Sequence, residues 1–207
     1  MKITTIREFD KKRSEVLTDE ALRFVLYNAE IRKLGLTEGE EFAAEVLEEI
    51  MTVILPKRAK LRAMNLLKDR DYTESRLRSK LADGGYPEQV IDEAIAYVRS
   101  YHYIDDERYA RDFIRGRMSR SSRARIRMDL KQRGINQEII DAAFEEIYAD
   151  ELLAGEDPEL EQIRRQIAKK HFDAGEAPWE EKQKFLAAMA RKGFSPDKVR
   201  RVMEEKE

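Results

Sequence analysis

The chain has 207 residues, a formal net charge of −2 and no cysteine, which excludes disulfides, thiolate metal sites and a thiol nucleophile. Charged residues make up 40% of it, and only nine residues are glycine and five are proline, a composition that argues against an all-β fold and favours thin layers of amphipathic helices. No segment approaches the roughly 20 apolar residues of a membrane span, and residues 1–10 lack the apolar core of a signal peptide. We therefore expect a soluble, cytoplasmic protein.

The first 55 residues differ from the rest of the chain. Short β-branched runs separated by polar turns predict a small β-hairpin or a three-stranded meander. These runs are residues 2–7, 15–18 and 22–27. A short helix over 28–34 is expected to stop at Gly35. Thr37 is predicted to cap a second helix, whose apolar side carries Phe42, Val46, Leu47 and Ile50.

From Pro56 onward the apolar spacing is helical, and three segments align on Gly85, Gly134 and Gly193. Large apolar residues stand four and eight positions before each glycine, and one, six and ten positions after it. This pattern predicts an amphipathic helix that ends at a left-handed glycine, an apolar residue that folds back over the last turn, and a following helix. Thr73 and Ser122 are predicted N-caps of the helices that end at the first two glycines.

Each glycine unit is preceded by a further predicted helix, over 57–69, 106–118 and 158–171. Loops are predicted at 150–158 and 173–178, which are rich in glycine, proline and acidic residues. The expected fold is mainly α: a tandem, elongated or curved array of three three-helix repeats behind a small N-terminal β-hairpin or meander. The predicted divisions are 1–55, repeat 1 at 56–105, the basic repeat 2 at 106–149, and repeat 3, with acidic loops, at 150–207.

The sequence offers little for catalysis. His102 lies in a tyrosine-rich turn and His171 at a helix end, where a packing or capping role is the simpler interpretation. The acidic run 105–107 is better explained by a helix N-terminus than by a metal site. Phosphate loops, nucleophile elbows and zinc motifs are absent from the sequence. We therefore expect no enzyme, no metal and no cofactor.

Charge is segregated along the chain. Between residues 107 and 133 ten basic residues face three acidic ones, a net of +7, whereas residues 145–181 carry a net of −8. The basic segment is the candidate partner-binding surface, and arginine dominates it, which favours hydrogen-bonded contacts with nucleic-acid phosphates or with acidic protein surface over a merely solvated face. The sequence leaves the choice between these partners open. The candidate residues are Arg108, Arg111, Arg115, Arg117, Arg120, Arg123, Arg127 and Arg133. Tyr97, Tyr101 and Tyr103 are expected to form an aromatic joint between repeats 1 and 2, with core packing favoured over the alternative of a role in recognition.

Four stretches carry a resemblance to a known family. They read "RDYTESRLRSKLADGGYPEQVIDEAIAYV" from Arg70, "YIDDERYARDFIRGRM" from Tyr103, "RIRMDLKQRGINQEIIDAAFEEI" from Arg125 and "KFLAAMARKGFSPDKVRRVM" from Lys184. On these motifs the chain resembles the RecX family of bacterial regulatory proteins, over about 56–203. The N-terminal segment also resembles the β-rich start of longer members.

The resemblance implies a binding protein without chemistry of its own. RecX-like proteins bind the RecA recombinase, lodge in the groove of the RecA–DNA filament, and block its extension or promote its disassembly. They thereby reduce strand exchange, ATP hydrolysis and coprotease activity. The expected partners are thus RecA and its DNA filament, with weak direct DNA binding and no membrane, and the expected state is a monomer. The alternative is a stand-alone helical DNA-binding protein that acts through repeat 2.

Overall fold

The structure is a computed structural model that describes residues 1–153 and 157–205. The chain divides into two compact units, Met1–Asp105 and Asp106–Glu207. The first contains an N-terminal sheet and one three-helix repeat, and the second contains two further repeats. The prediction of a mainly α chain with a small N-terminal β element and three tandem three-helix repeats is confirmed.

The N-terminal element is an antiparallel meander of strands β1 (Ile3–Asp10), β2 (Arg13–Thr18) and β3 (Arg23–Tyr27). One face of the sheet packs on the core through Val16 and its cross-strand partner Phe24, which are both fully buried. Glu15, on the opposite face, forms ion pairs with Arg7 and Arg23 and is itself buried. These pairings fix the register of the strands.

The segment after the sheet differs from the prediction. Helix α1 (Asn28–Lys33) ends before Gly35, which has φ +65°, as expected. The prediction that Thr37 caps a helix is wrong, because residues 37–43 run beside the start of β1. There the amide of Gly39 donates to the carbonyl of Ile3 at 2.9 Å, and Glu41 forms an antiparallel bridge with Lys2. The segment thereby satisfies backbone groups at the edge of the sheet.

The helices of the three repeats follow in chain order. Helix α2 (Ala44–Glu49) passes through a π-helical turn (Ile50–Ile54) into the first repeat. Repeat 1 consists of α3 (Leu55–Asp69), α4 (Glu74–Ala82) and α5 (Glu88–Ser100). Repeat 2 consists of α6 (Asp106–Arg117), α7 (Arg123–Lys131) and α8 (Gln137–Leu153). Repeat 3 consists of α9 (Pro158–Lys169), α10 (Trp179–Arg191) and α11 (Pro196–Glu204).

One of the two predicted loops is shorter than expected. Helix α8 continues to Leu153, so the prediction of a loop from Asp150 is wrong for residues 150–153. Residues 154–156 of that predicted loop lie outside the described residues. The loop at 173–178 is confirmed, with the carboxylate of Asp173 accepting hydrogen bonds from the amides of Gly175 and Glu176.

The predicted glycine ends of the repeat helices and the caps at Thr73 and Ser122 are confirmed. Gly85, Gly134 and Gly193 have φ values of +78°, +78° and +86°. After each glycine, the next amide donates to the carbonyl five residues earlier, as from Phe194 to Met189 at 3.1 Å. The hydroxyls of Thr73 and Ser122 accept hydrogen bonds from backbone amides in the first turns of α4 and α7.

Repeats 2 and 3 have separate apolar clusters, which polar contacts connect within the second unit. The Ser122 hydroxyl donates to the carbonyl of Lys192 at 2.7 Å, and the Gln162 side-chain amide donates to the carbonyl of Met118. A Cβ atom on Gly193 would lie 2.6 Å from the Ser122 oxygen, so the glycine permits this close approach.

Candidate partner-binding surface

The basic side chains of α6 differ in their exposure. Arg108 and Arg115 are exposed, whereas Arg111 is half-buried. Arg111 and Arg115 both face Glu146 of α8, with nitrogen–oxygen distances of 3.6 and 3.8 Å. Arg111 also lies 3.9 Å from Glu107, one turn earlier. Arg111 therefore contributes to the α6–α8 contact, while Arg108 and Arg115 are the more exposed side chains of this helix.

Four exposed arginines, Arg115, Arg117, Arg120 and Arg125, lie in the segment where α6 ends and α7 begins, and we call them the arginine cluster. Arg120 folds back and donates to the carbonyl of Gly116 at 2.9 Å, which satisfies the end of α6. Arg117 and Arg125 lie 3.7 and 3.2 Å from the two carboxylate oxygens of Asp129. That single carboxylate, only 12% exposed, holds the two arginines beside each other.

One member of the arginine cluster, Arg117, packs on an aromatic ring that it shares with Arg133. The guanidinium carbon of Arg117 lies 4.9 Å from the centre of the Phe113 ring, and that of Arg133 lies 4.7 Å from the same ring. Phe113 in turn stacks on Tyr109 of the same helix. Cation–π contacts of this kind hold a long side chain over a ring while its charge stays open to solvent. Arg133 is half-buried, and Arg117 is exposed.

Two of the predicted contact residues on α7 have structural partners. The guanidinium carbon of Arg123 lies 3.5 Å from the centre of the Tyr148 ring, and its nitrogens lie 3.7 and 3.9 Å from Asp157 and Glu159 of repeat 3. Arg127 covers the Phe144 ring at 4.4 Å and pairs with Asp141. Both side chains therefore help to hold the helices of the second unit together.

The eight predicted arginines thus fall into two groups of four. The exposed group consists of Arg108, Arg115, Arg117 and Arg120. The half-buried group packs on rings or acidic side chains within the unit and consists of Arg111, Arg123, Arg127 and Arg133. The prediction omitted Arg125, although its position directly before the buried Ile126 placed it off the apolar face of α7.

Ion pairs in this unit lower the pKa values of two carboxyl groups. Hydrogen bonds from Arg127 and then Gln137 lower the pKa of Asp141. Burial raises the pKa of Asp157, but hydrogen bonds from Lys198 and the Glu159 amide outweigh burial, and the pKa lies below its ordinary value. A carboxyl group whose pKa is lowered in the folded state stabilises the fold at pH values above its ordinary pKa. That contribution is lost as the pH falls through the folded-state pKa. Both ion pairs therefore persist at neutral pH.

We expect the two groups of arginines to differ in their effect on stability. Replacing Arg123 by alanine removes the guanidinium over Tyr148 and leaves the buried Glu159 with one fewer cation. The expected loss is about 1–2 kcal/mol in the free energy of unfolding. Replacing Arg115 by alanine should cost less than about 0.5 kcal/mol, because its ion pair is exposed. Urea denaturation followed by circular dichroism measures both, and equal losses would contradict this division.

Within residues 1–153 and 157–205, no group of three or more His, Cys, Asp and Glu side chains is arranged to hold a metal ion. The helices of the described segments are also too short or too polar for any of them to cross a membrane.

Known proteins resemble this chain in both sequence and fold. Residues 59–97, 105–143 and 157–203 match models of the first, second and third three-helix domains of RecX. The chain is 35% identical to "Regulatory protein RecX" of Caldanaerobacter subterraneus, with 82% of this chain and 84% of that protein aligned. It is 26% identical to the protein of the same name from Clostridium acetobutylicum, over 98% of this chain and 95% of that one.

Two solved structures share the fold. A crystal structure of regulatory protein RecX aligns with 99% of both chains at a TM-score of 0.65 and 22% identity. The crystal structure of RecX from Lactobacillus salivarius aligns with 72% of this chain and 95% of that one, at a TM-score of 0.59 and 22% identity. Because three domain models match in their natural order and a relative 35% identical is aligned over most of its length, this chain belongs to the RecX family.

Proposed function

We propose that this protein binds RecA and the RecA–DNA filament, and inhibits recombinase, ATPase and coprotease activity by blocking filament extension or promoting disassembly. The observation that carries the proposal is the match of all three helical repeats, in order, to the three RecX domains. The name "Regulatory protein RecX" of relatives aligned over most of their length supports a regulatory role. The proposal assigns the protein to the bacterial cytoplasm as a monomer and a non-enzyme.

Within this proposal, the exposed arginines of repeat 2 contact the filament. Arg108 and the arginine cluster present guanidinium groups whose geometry suits carboxylates and phosphates. An acidic RecA surface and the phosphates of filament DNA both fit this chemistry. The half-buried arginines then act indirectly, because their contacts with rings and acids hold together the helices that carry the exposed ones.

A linked pair of compact units supports a filament as the target. A filament repeats its binding sites along its length, and a second contact made by the same chain occurs at a high effective concentration. Several weak contacts by the two units of one chain therefore give tight overall binding without a large single interface. A single RecA protomer would not offer this gain.

The test is a titration of the protein into RecA that is hydrolysing ATP on single-stranded DNA. We expect the steady-state ATPase rate to fall at substoichiometric to equimolar protein. A heat-denatured sample of the same protein serves as the control for additives in the buffer. An unchanged rate at equimolar protein would rule out the proposed function.

The second candidate function is DNA binding by repeat 2 alone. The exposure of the arginine cluster favours it, because these cations neutralise phosphates of naked DNA as well as those in a filament. Such a protein would bind single-stranded DNA without RecA, and its affinity would fall steeply with salt. It would slow RecA only by competing for DNA, so an excess of DNA would restore the ATPase rate.

A further inference from the structure

The end of α5 carries three tyrosines in a row of contacting rings, of which the last two are stacked on each other and exposed to solvent. The ring centres of Tyr97 and Tyr101 are 5.0 Å apart, and those of Tyr101 and Tyr103 are 5.7 Å apart, with the latter two planes only 16° from parallel. Tyr97 packs against the core of the first unit, as expected from the sequence. The expectation is wrong for Tyr101 and Tyr103, which are 57% and 48% exposed.

The way in which α5 ends does not explain the exposure of Tyr103. Helix α5 ends like the glycine-terminated helices, with His102 at φ +55° and the Tyr103 amide donating to the carbonyl of Val98 at 3.0 Å. At five other helix ends of this kind, the residue in the position of Tyr103 folds back and is buried or half-buried. These residues are Leu36, Tyr86, Ile135, Phe172 and Phe194. Tyr103 instead turns outward and stacks on Tyr101.

A basic helix contacts the first of these tyrosines, Tyr97. Helix α3 carries five basic residues against one acidic residue, Asp69. The ammonium nitrogen of Lys60 on this helix is 5.7 Å from the centre of the Tyr97 ring and 3.7 Å from the carboxylate of Glu93. Leu61 and Met64 of the same helix are also exposed. The first unit therefore places a cation against Tyr97, whose ring in turn contacts the exposed ring of Tyr101.

We propose that Tyr101 and Tyr103 form a stacking platform for an unpaired base of single-stranded nucleic acid, with Lys60 contacting the backbone. Exposed aromatic faces next to cations are the chemistry that binds single strands without sequence preference, because every base has a π-face. Two rings 5.7 Å apart leave no room for a base between them, since that needs about 7 Å. The base therefore stacks on the outer face of the pair.

This platform goes beyond the proposed function, because it binds naked single strands whether or not RecA is present. It also differs from the arginine cluster in what it recognises. The cluster neutralises phosphates and is indifferent to bases, whereas the platform needs a base to stack on. Duplex DNA keeps its base faces covered and should bind the platform poorly.

The test uses fluorescence anisotropy with labelled oligothymidylate and an abasic oligonucleotide of equal length and charge. We expect Tyr101→Ala with Tyr103→Ala to weaken oligothymidylate binding about tenfold, the scale of one stacked base. Tyr101→Phe with Tyr103→Phe keeps the rings and should bind like the wild type. The wild type should bind the abasic strand more weakly, and the alanine pair should leave that residual binding unchanged.

Several outcomes would overturn the platform. These are a wild type that does not bind the oligothymidylate, equal binding of the abasic strand, and unchanged binding by the alanine pair. The platform would also be overturned if the Tyr101→Ala, Tyr103→Ala variant kept full oligothymidylate binding but no longer inhibited RecA, because the tyrosines would then contact protein. Thermal unfolding of each variant checks the fold, which two exposed side chains should leave intact. The ATPase titration with wild-type protein tests the proposed function separately.

Discussion

Replacement of Gly85 by alanine is expected to lower the free energy of unfolding by about 3–5 kcal/mol. Gly85 ends α4 at φ +78°, where an L-residue costs about 1–2 kcal/mol. A Cβ atom there would also lie 2.1 Å from Cγ2 of Val25, a buried residue of strand β3. Because the obstacle is a short, branched side chain in a sheet, relief requires the sheet to move away from repeat 1.

Gly35 provides the matched control for this substitution. It ends α1 at φ +65°, and a Cβ atom on it would meet nothing within 4 Å. Gly35→Ala should therefore cost only the backbone strain, about 1–2 kcal/mol. Adding Val25→Ala to Gly85→Ala should recover part of the larger loss. Urea denaturation measures the free energy of unfolding of the wild type and these three variants. Similar losses for Gly35→Ala and Gly85→Ala would contradict the close contact with Val25.

Reversing the charge of Arg115 and Arg120 together is expected to raise the concentration needed for half-inhibition of the RecA ATPase at least about tenfold. An acidic side chain placed against an anionic partner replaces attraction by repulsion, which costs several kcal/mol when the groups meet. Both residues are exposed, so the double variant Arg115→Glu with Arg120→Glu should lose less than about 1 kcal/mol of stability. Arg111 is unsuitable for this test because it is half-buried against Glu146.

The third repeat offers a control with the same change of charge. Arg165 and Arg200 are exposed and pair with acids three or four residues away on their own helices, at 3.2 Å in each case. Arg165→Glu with Arg200→Glu should leave inhibition within about twofold of the wild type, because that surface is not assigned to the partner. Equal loss in both double variants would mean that net charge, rather than the arginine cluster, governs inhibition.

Local rules account for the parts of the fold that the sequence predicts well. A helix end depends on the residues within one turn of it, so Gly85, Gly134 and Gly193 predict their left-handed conformations directly. The caps at Thr73 and Ser122 follow from the same short-range chemistry. The meander is equally local, because each of its strands pairs with its neighbour in sequence.

The errors arise where a distant partner decides the conformation. Thr37 has the residue type of a cap, but the segment after it pairs with the start of β1, which lies more than 30 residues away. Arg123 and Arg127 have the spacing of a solvent-facing row, yet Tyr148 and Phe144 from another helix lie under their guanidinium groups. Sequence periodicity defines which residues leave the apolar face of one helix, but not which neighbour covers them.

The proposed function makes the RecA filament, and not naked DNA, the principal target. The most direct test measures how the labelled protein binds single-stranded DNA as the salt concentration is raised. The DNA is either bare or coated by RecA in the presence of a nonhydrolysable ATP analogue. We predict tighter binding to the filament at every salt concentration, with an affinity that survives moderate salt, because protein contacts add to those with phosphate. Equal affinity for bare and coated DNA, falling together with salt, would contradict this and favour a stand-alone DNA-binding protein.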